Sequence, residues 1–198
     1  MNANILKFFF ISILLMTISC QDNKESIIEI KKSINPLNDS RVTGYISIKS
    51  KSINNKSSVE LEAHLFGLTP GKSAIHIHEF ADCSSNDGLS SGGHWNPTSQ
   101  PHGEWGNTEG FHLGDIGNFS IDSIGHGMIN FKTDLWCINC NDKNKDLIGR
   151  SIIIHNGSDD YISQPSGAAG IRIGCMDISY DYIAVSYTHL KLPTILLV

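Results

Sequence analysis

Short runs of β-branched and alternating apolar residues, each cut off by turn-forming residues, constrain this chain more than anything else in it. Val42 to Ser50, Val59 to Phe66, Ala74 to Phe80, Gly117 to Ile121, Gly127 to Lys132, Arg150 to His155 and Gly170 to Ile178 all have this character. Turn signals separate most of them, among them Asn54-Asn55, Thr69-Pro70-Gly71, Gly125 and Asn156-Gly157. Branched and aromatic side chains suit a pleated, half-buried surface, while Asn, Pro and Gly supply the backbone angles that reverse a chain. Ile27 to Lys31 adds an eighth run through its alternation, and no stretch holds a helical period of useful length. The expected fold class is therefore all-β, an eight-stranded antiparallel Greek-key barrel or sandwich, immunoglobulin-like in architecture. Eighteen glycines and only 18% charged residues agree with a turn-rich β protein rather than a helical bundle. Two connections, Ala81 to Asp115 and Asn156 to Gly170, are too long and polar to be turns, and loops of that length usually carry function.

The two ends stand apart from this pattern. Lys7 precedes an apolar run from Phe8 to Met16 and then small residues before Cys20, the layout of a secretory signal over residues 1–19. Thr17-Ile18-Ser19-Cys20 resembles the lipobox of bacterial lipoproteins, although Thr17 stands where Leu is usual. On that reading Cys20 is acylated, 20–26 is a lipid-anchored tether, and the protein is exported to the periplasm or cell envelope. The alternative is an ordinary secreted protein with Cys20 lost or unpaired. Either way disulfides are permitted. The main domain is expected over 27–180. Residues 181–198 are expected to be a non-native or disordered tail, because from Ala184 the composition resembles adapter read-through more than the domain; a genuine C-terminal strand is the other reading.

The formal net charge of −5 argues against nucleic-acid binding, which needs a basic stripe. Nine histidines are the oddest feature. In Ala74-Ile75-His76-Ile77-His78-Glu79, alternation puts Ile75 and Ile77 on one strand face and His76 and His78 on the other. A lone His-x-His is more often a solvated face than a ligand pair. Here the following loop adds His94, His102, His112 and Asp115, and a later strand ends on His155. Six imidazoles and one carboxylate suit a borderline or transition metal, whereas calcium or magnesium would want oxygen ligands.

These residues stand in segments that resemble the copper/zinc superoxide dismutase family over about Ile28 to Ile178. The segments are His76-Ile77-His78-Glu79, Gly93-His94-Trp95-Asn96-Pro97, His102-Gly103, His112-Leu113-Gly114-Asp115-Ile116-Gly117-Asn118, Gly149-Arg150 leading to His155, and Gly170-Ile171-Arg172-Ile173-Gly174-Cys175. The resemblance implies one copper per subunit on His76, His78, His94 and His155, and one zinc on His94, His102, His112 and Asp115. His94 is then the bridge, which breaks on the copper side and takes a proton during turnover. It also implies superoxide as substrate, Arg172 as the residue that pairs with the anion, and Asp159 as the carboxylate linking a copper histidine to a zinc histidine. A homodimer is compatible with it, with no interface legible.

The resemblance pairs Cys83 with Cys175. Cys137-Ile138-Asn139-Cys140 has no counterpart in the commonest members; a local disulfide is favoured, with a redox pair or half of a metal site as alternatives. His64, His126 and His189 are assigned to no site. Cys83 to His94 is longer than in familiar eukaryotic members, and the shorter Asn156 to Gly170 loop has no lysine, which puts the usual guidance of substrate in question. Two rival functions follow from the same residues. An exported copper/zinc-binding module without turnover would be expected to lose Arg172 or a copper ligand, and a zinc hydrolase would be expected to leave zinc an open position.

Overall fold

The structure, a computed structural model, describes residues 24–53, 56–180 and 183–189. Cys20 and the expected signal segment 1–19 lie outside the described residues. The strands are β1 (Lys24–Ser33), β2 (Asn35–Pro36), β3 (Thr43–Ile53), β4 (Lys56–Phe66), β5 (Gly71–His78), β6 (Gly117–Ile121), β7 (Gly127–Thr133), β8 (Arg150–His155), β9 (Arg172–Ile178) and β10 (Ile183–His189). They form one antiparallel sheet in the order β10-β1-β3-β4-β7-β6-β5-β8-β9-β2. Because β7 and β6 stand between β4 and β5, and β6 and β5 between β7 and β8, the chain crosses the sheet as a Greek key. β1 and β2 are separated by Ile34 alone yet pair at opposite ends of that order, so the sheet curls into a nearly closed barrel. Lys32 on β1 reaches across the seam to Asp177 on β9, Nζ to Oδ2 2.6 Å.

Alternation explains the interior. On β4, Val59, Leu61, Ala63 and Leu65 are buried, and the intervening Glu60, Glu62 and His64 point outward. Ile46, Ile48, Ile75, Ile77, Ile152, Ile154, Met176 and Ile178 join them, and Trp136 and Leu147 pack into the same cluster.

Two differences from the sequence reading concern the margins. β1 begins at Lys24, so residues 24–26, expected as tether, pair with β3 and β10. Beyond the expected domain end at 180, Ile183–His189 pairs with β1 from Ile30↔Ile183 to Lys24↔His189, which is strand rather than disordered tail. Periodicity alone left this segment ambiguous because an edge strand's pairing is fixed by its partner. Eight strands were expected; β2, only two residues long, and β10 are the additions.

Candidate metal centre

β5 and β8 are buried on both faces, and that places the site. Ile75 and Ile77 face the barrel interior, while His76 and His78 face outward beneath the long loops. β8 pairs with β5 as Ile75↔Ile154, His76↔Ile153 and Ile77↔Ile152, which brings His155 onto the same outer wall. The β5–β6 connection, residues 79–116, folds back over this wall. Its return is pinned by Trp95 N–H to the Ile77 carbonyl at 2.8 Å and Ile77 N–H to the Gly114 carbonyl at 2.9 Å. His94, His102, His112 and Asp115 are thereby delivered to the wall, all buried.

Two groups result. His76, His78, His94 and His155 each offer a ligand atom within 4.8 Å of the others, and so do His94, His102, His112 and Asp115. The hydrogen bonds decide which ring nitrogen each histidine has to offer. His76 Nε2 meets Asp159 Oδ2 at 2.8 Å, His78 Nδ1–H donates to the Gly92 carbonyl at 3.0 Å, and His155 Nδ1–H donates to the Gly170 carbonyl at 3.2 Å. Their other nitrogens, His76 Nδ1, His78 Nε2 and His155 Nε2, are buried with no partner. His94 turns Nδ1 to Asp115 Oδ1 at 2.8 Å and leaves Nε2 bare on the side of the first group. In the second group His102 Nδ1 and His112 Nδ1 lie 3.0 and 3.2 Å from Asp115 oxygens, and neither has a hydrogen-bond partner.

Six bare imidazole nitrogens in a protein interior are unusual, since buried polar atoms are nearly always paired. Their convergence fits two cations: four imidazoles for one, and three imidazoles with a carboxylate for the other. The second set matches zinc's preference for four N and O donors, and the first suits copper.

Electrostatics follow the same division. Burial first, and neighbouring histidines next, hold His78 well below its ordinary value and bring His155 down to about 3. Burial also brings His94 down to about 4 despite its contact with Asp115. Burial presses His102 toward the neutral form, but its contacts with Asp115 and Asp159 overcome this and hold it up at about 9. Asp115 and Asp159 would be raised by burial; their histidine partners hold both well below the usual carboxylate range.

Asp159 joins the groups, with Oδ2 on His76 and Oδ1 on His102 Nε2 at 2.9 Å. Its backbone is clasped by Asn118, whose Oδ1 accepts the Asp159 N–H and whose Nδ2 donates to the Asp159 carbonyl, both at 2.8 Å. Gln164 grips His102 in the same way, accepting its N–H at 2.9 Å and donating to its carbonyl at 3.0 Å. Sequence reasoning quoted Asn118 without a role and missed Gln164, which carries no local pattern. Arg172 lines an open cavity of about 700 Å³ together with His78, His94, His155, Glu79 and Asp87. Its Nη1 donates to the Gly88 carbonyl at 2.6 Å and to Ser91 Oγ at 3.0 Å. Cys83 and Cys175 are disulfide-bonded with Cα atoms 5.7 Å apart, tying this loop to β9. Cys137 and Cys140 form a second, local disulfide. His64 pairs with Glu62, and His126 stacks on Phe66, both outside the two groups.

An antiparallel barrel whose outer wall carries two adjoining cation sites that share one imidazole is a dinuclear metalloprotein. Residues 42–178 match the family model for copper/zinc superoxide dismutase. Curated relatives include superoxide dismutase [Cu-Zn] 5 of Dictyostelium discoideum, 37% identical over 72% of this chain and 93% of that protein. Superoxide dismutase [Cu-Zn] 2 of Aquifex aeolicus is 35% identical over 67% of this chain and 78% of its own length. Among solved structures, the crystal structure of the clock protein EA4 is similar, with a TM-score of 0.62 and 27% identity over 78% of this chain and 93% of that one. The chain belongs to the copper/zinc superoxide dismutase family.

Proposed function

We propose that this chain dismutates superoxide to dioxygen and hydrogen peroxide, with His76, His78, His94 and His155 holding copper and His94, His102, His112 and Asp115 holding zinc. The observation that carries this reading is the orientation of His94, with Nδ1 in one group and bare Nε2 in the other. When bound, copper supplies the one-electron cycle that zinc cannot, and zinc supplies fixed charge.

The protein's own groups then have separable tasks. Gly92, Gly170 and Asp159 fix the tautomers of His78, His155 and His76, so each presents a bare nitrogen inward. His94 Nε2 is the position where the bridge can take up a proton and give it back. Asp159 fixes the relative orientation of a copper histidine and a zinc histidine. Arg172, with one guanidinium nitrogen tied to the 79–116 loop, pairs with the superoxide anion in the cavity and orients it beside His78 and His155.

Export to the periplasm or cell envelope, with attachment through Cys20, is part of the same proposal. The apolar segment before Cys20 and the two disulfides support it, because disulfides persist in oxidising compartments. The test is a metal count with a dismutase assay, before and after copper loading. One copper and one zinc per chain, with activity appearing on copper loading, is expected. Copper-loaded protein without dismutation would make it a metal-carrying module instead.

A further inference from the structure

Trp136, which immediately precedes the Cys137-Ile138-Asn139-Cys140 motif, is among the largest fully buried side chains of the protein. Its indole Nε1–H donates to the Leu113 carbonyl at 2.8 Å. Leu113 stands between His112 and Asp115, both members of the second group. The indole also packs against Phe131, with centroids 5.0 Å apart, and edge-on against Trp105 at 5.5 Å. Trp105 lies on the same loop, between His102 and His112.

The His112–Asp115 turn is thus held from two directions. On one side Gly114 accepts from Ile77 of β5 and donates to the Trp95 carbonyl. On the other, Leu113 is held by Trp136. The segment carrying Trp136 is itself braced. Cys137 N–H donates to the Lys145 carbonyl at 2.9 Å, and Leu147 N–H donates to the Cys137 carbonyl at 3.0 Å. Asp146 accepts the Asn139 and Cys140 N–H groups at 3.0 and 3.1 Å, and the Cys137–Cys140 disulfide closes the loop.

We propose that Trp136, braced by the Cys137–Cys140 loop, is a positioning residue that holds the His112–Asp115 turn ready for zinc. The inference rests on the second group being the zinc site. A turn with two ligands three positions apart must be ordered before it can grip an ion with both. A rigid, buried donor meets that requirement before the ion arrives, and groups just outside the ligands commonly govern metal affinity by about 10- to 100-fold. The disulfide contributes indirectly, by limiting the conformations of the segment from which the indole projects.

The experiment compares wild-type protein with Trp136→Phe, which keeps an aromatic ring but loses the donor. Zinc-loaded proteins are mixed with excess chromophoric chelator and zinc release is followed; the unfolding temperature is measured with and without zinc. Release about tenfold faster in the variant, with a smaller zinc-induced rise in unfolding temperature, is expected. Equal release rates, with both unfolding temperatures lowered alike, would reduce Trp136 to ordinary core packing and overturn the inference. Should Trp136→Phe fail to fold, the Cys137→Ser, Cys140→Ser double variant is put through the same release assay. Faster release supports the brace, and unchanged release overturns it. Wild-type protein that takes up no zinc at all would overturn the site reading, and this inference with it.

Discussion

At the scale of single residues, His76, His78 and His155 each commit one ring nitrogen to the protein and leave the other bare. Replacing His155 with Ala removes a nitrogen from the first group and none from the second, so on the proposed assignment dismutation is expected to be lost with zinc retained. Metal analysis of the purified variant checks this, and equal loss of both metals contradicts it. The pH dependence of the metal-free protein follows from the same burial. His94 and His155 take protons only near about 4 and about 3, and His78 is depressed likewise. Unfolded, all three take protons near about 6.5. The unfolded state therefore binds more protons as pH falls through that window, and stability must drop from about pH 6.5 toward pH 4. His102, held up at about 9, acts oppositely: its contribution is complete below about pH 6.5 and is lost as pH rises through its folded value. The unfolding temperature of chelator-treated protein is expected to be highest near neutrality and to fall on both sides; a flat profile from pH 4 to 9 contradicts this. The members of the two groups were legible because alternation sets His76 and His78 on one face and the flanking segments resemble a known family. The clasp of Gln164 on His102 was not, since an amide gripping a backbone 62 positions away leaves no local trace.

At the scale of elements, the 156–171 connection has to pass close over Asp159, and Gly167 makes this possible. A Cβ there would collide with Asp159 Oδ1 and stand 2.6 Å from His102 Nε2, at a backbone φ of 65°. Gly167→Ala is expected to lose about 1–3 kcal/mol from backbone conformation alone. It should also weaken metal retention, because the displaced carboxylate orients both groups. Denaturant unfolding and a metal count check this, and wild-type values for both contradict it. Most strands could be read from the sequence: β6 and β8 have the limits their alternation implied, and β4 keeps Val59, Leu61, Ala63 and Leu65 inward. On β5 the expected outward face is outward yet buried, because the 79–116 loop covers it. That covering depends on contacts from distant segments, which no strand period reports. β2 has only two residues, and its pairing with Cys175 and Gly174 arises from barrel closure.

At the scale of the molecule, charge is unevenly spread. No Lys or Arg occurs between Lys72 and Lys132, while Glu79, Asp82, Asp87, Glu104, Glu109, Asp115 and Asp122 all fall in that stretch. Among the described residues lining the cavity Arg172 is the one Lys or Arg, and Glu79 and Asp87 share the lining with it. Salt screens exposed charges beyond about 8 to 10 Å near physiological ionic strength. Superoxide dismutase is a standard example of electrostatic steering, in which on-rates fall steeply with salt. Here little attraction is available to be screened, so the rate is expected to fall less than about threefold, or to rise, between low and physiological salt. Pulse-generated superoxide decay at several ionic strengths checks this; a steep fall means that a distant lysine reaches the cavity mouth. On the proposed reading one imidazole, His94, joins two different metals on the barrel wall. Anomalous diffraction from crystals of metal-loaded protein, recorded at the copper and zinc edges, locates each element separately. Copper is expected beside His76, His78, His155 and His94 Nε2, and zinc about 2.0 to 2.1 Å from His94 Nδ1 among His102, His112 and Asp115. A single shared ion, or the two elements with exchanged positions, would contradict it.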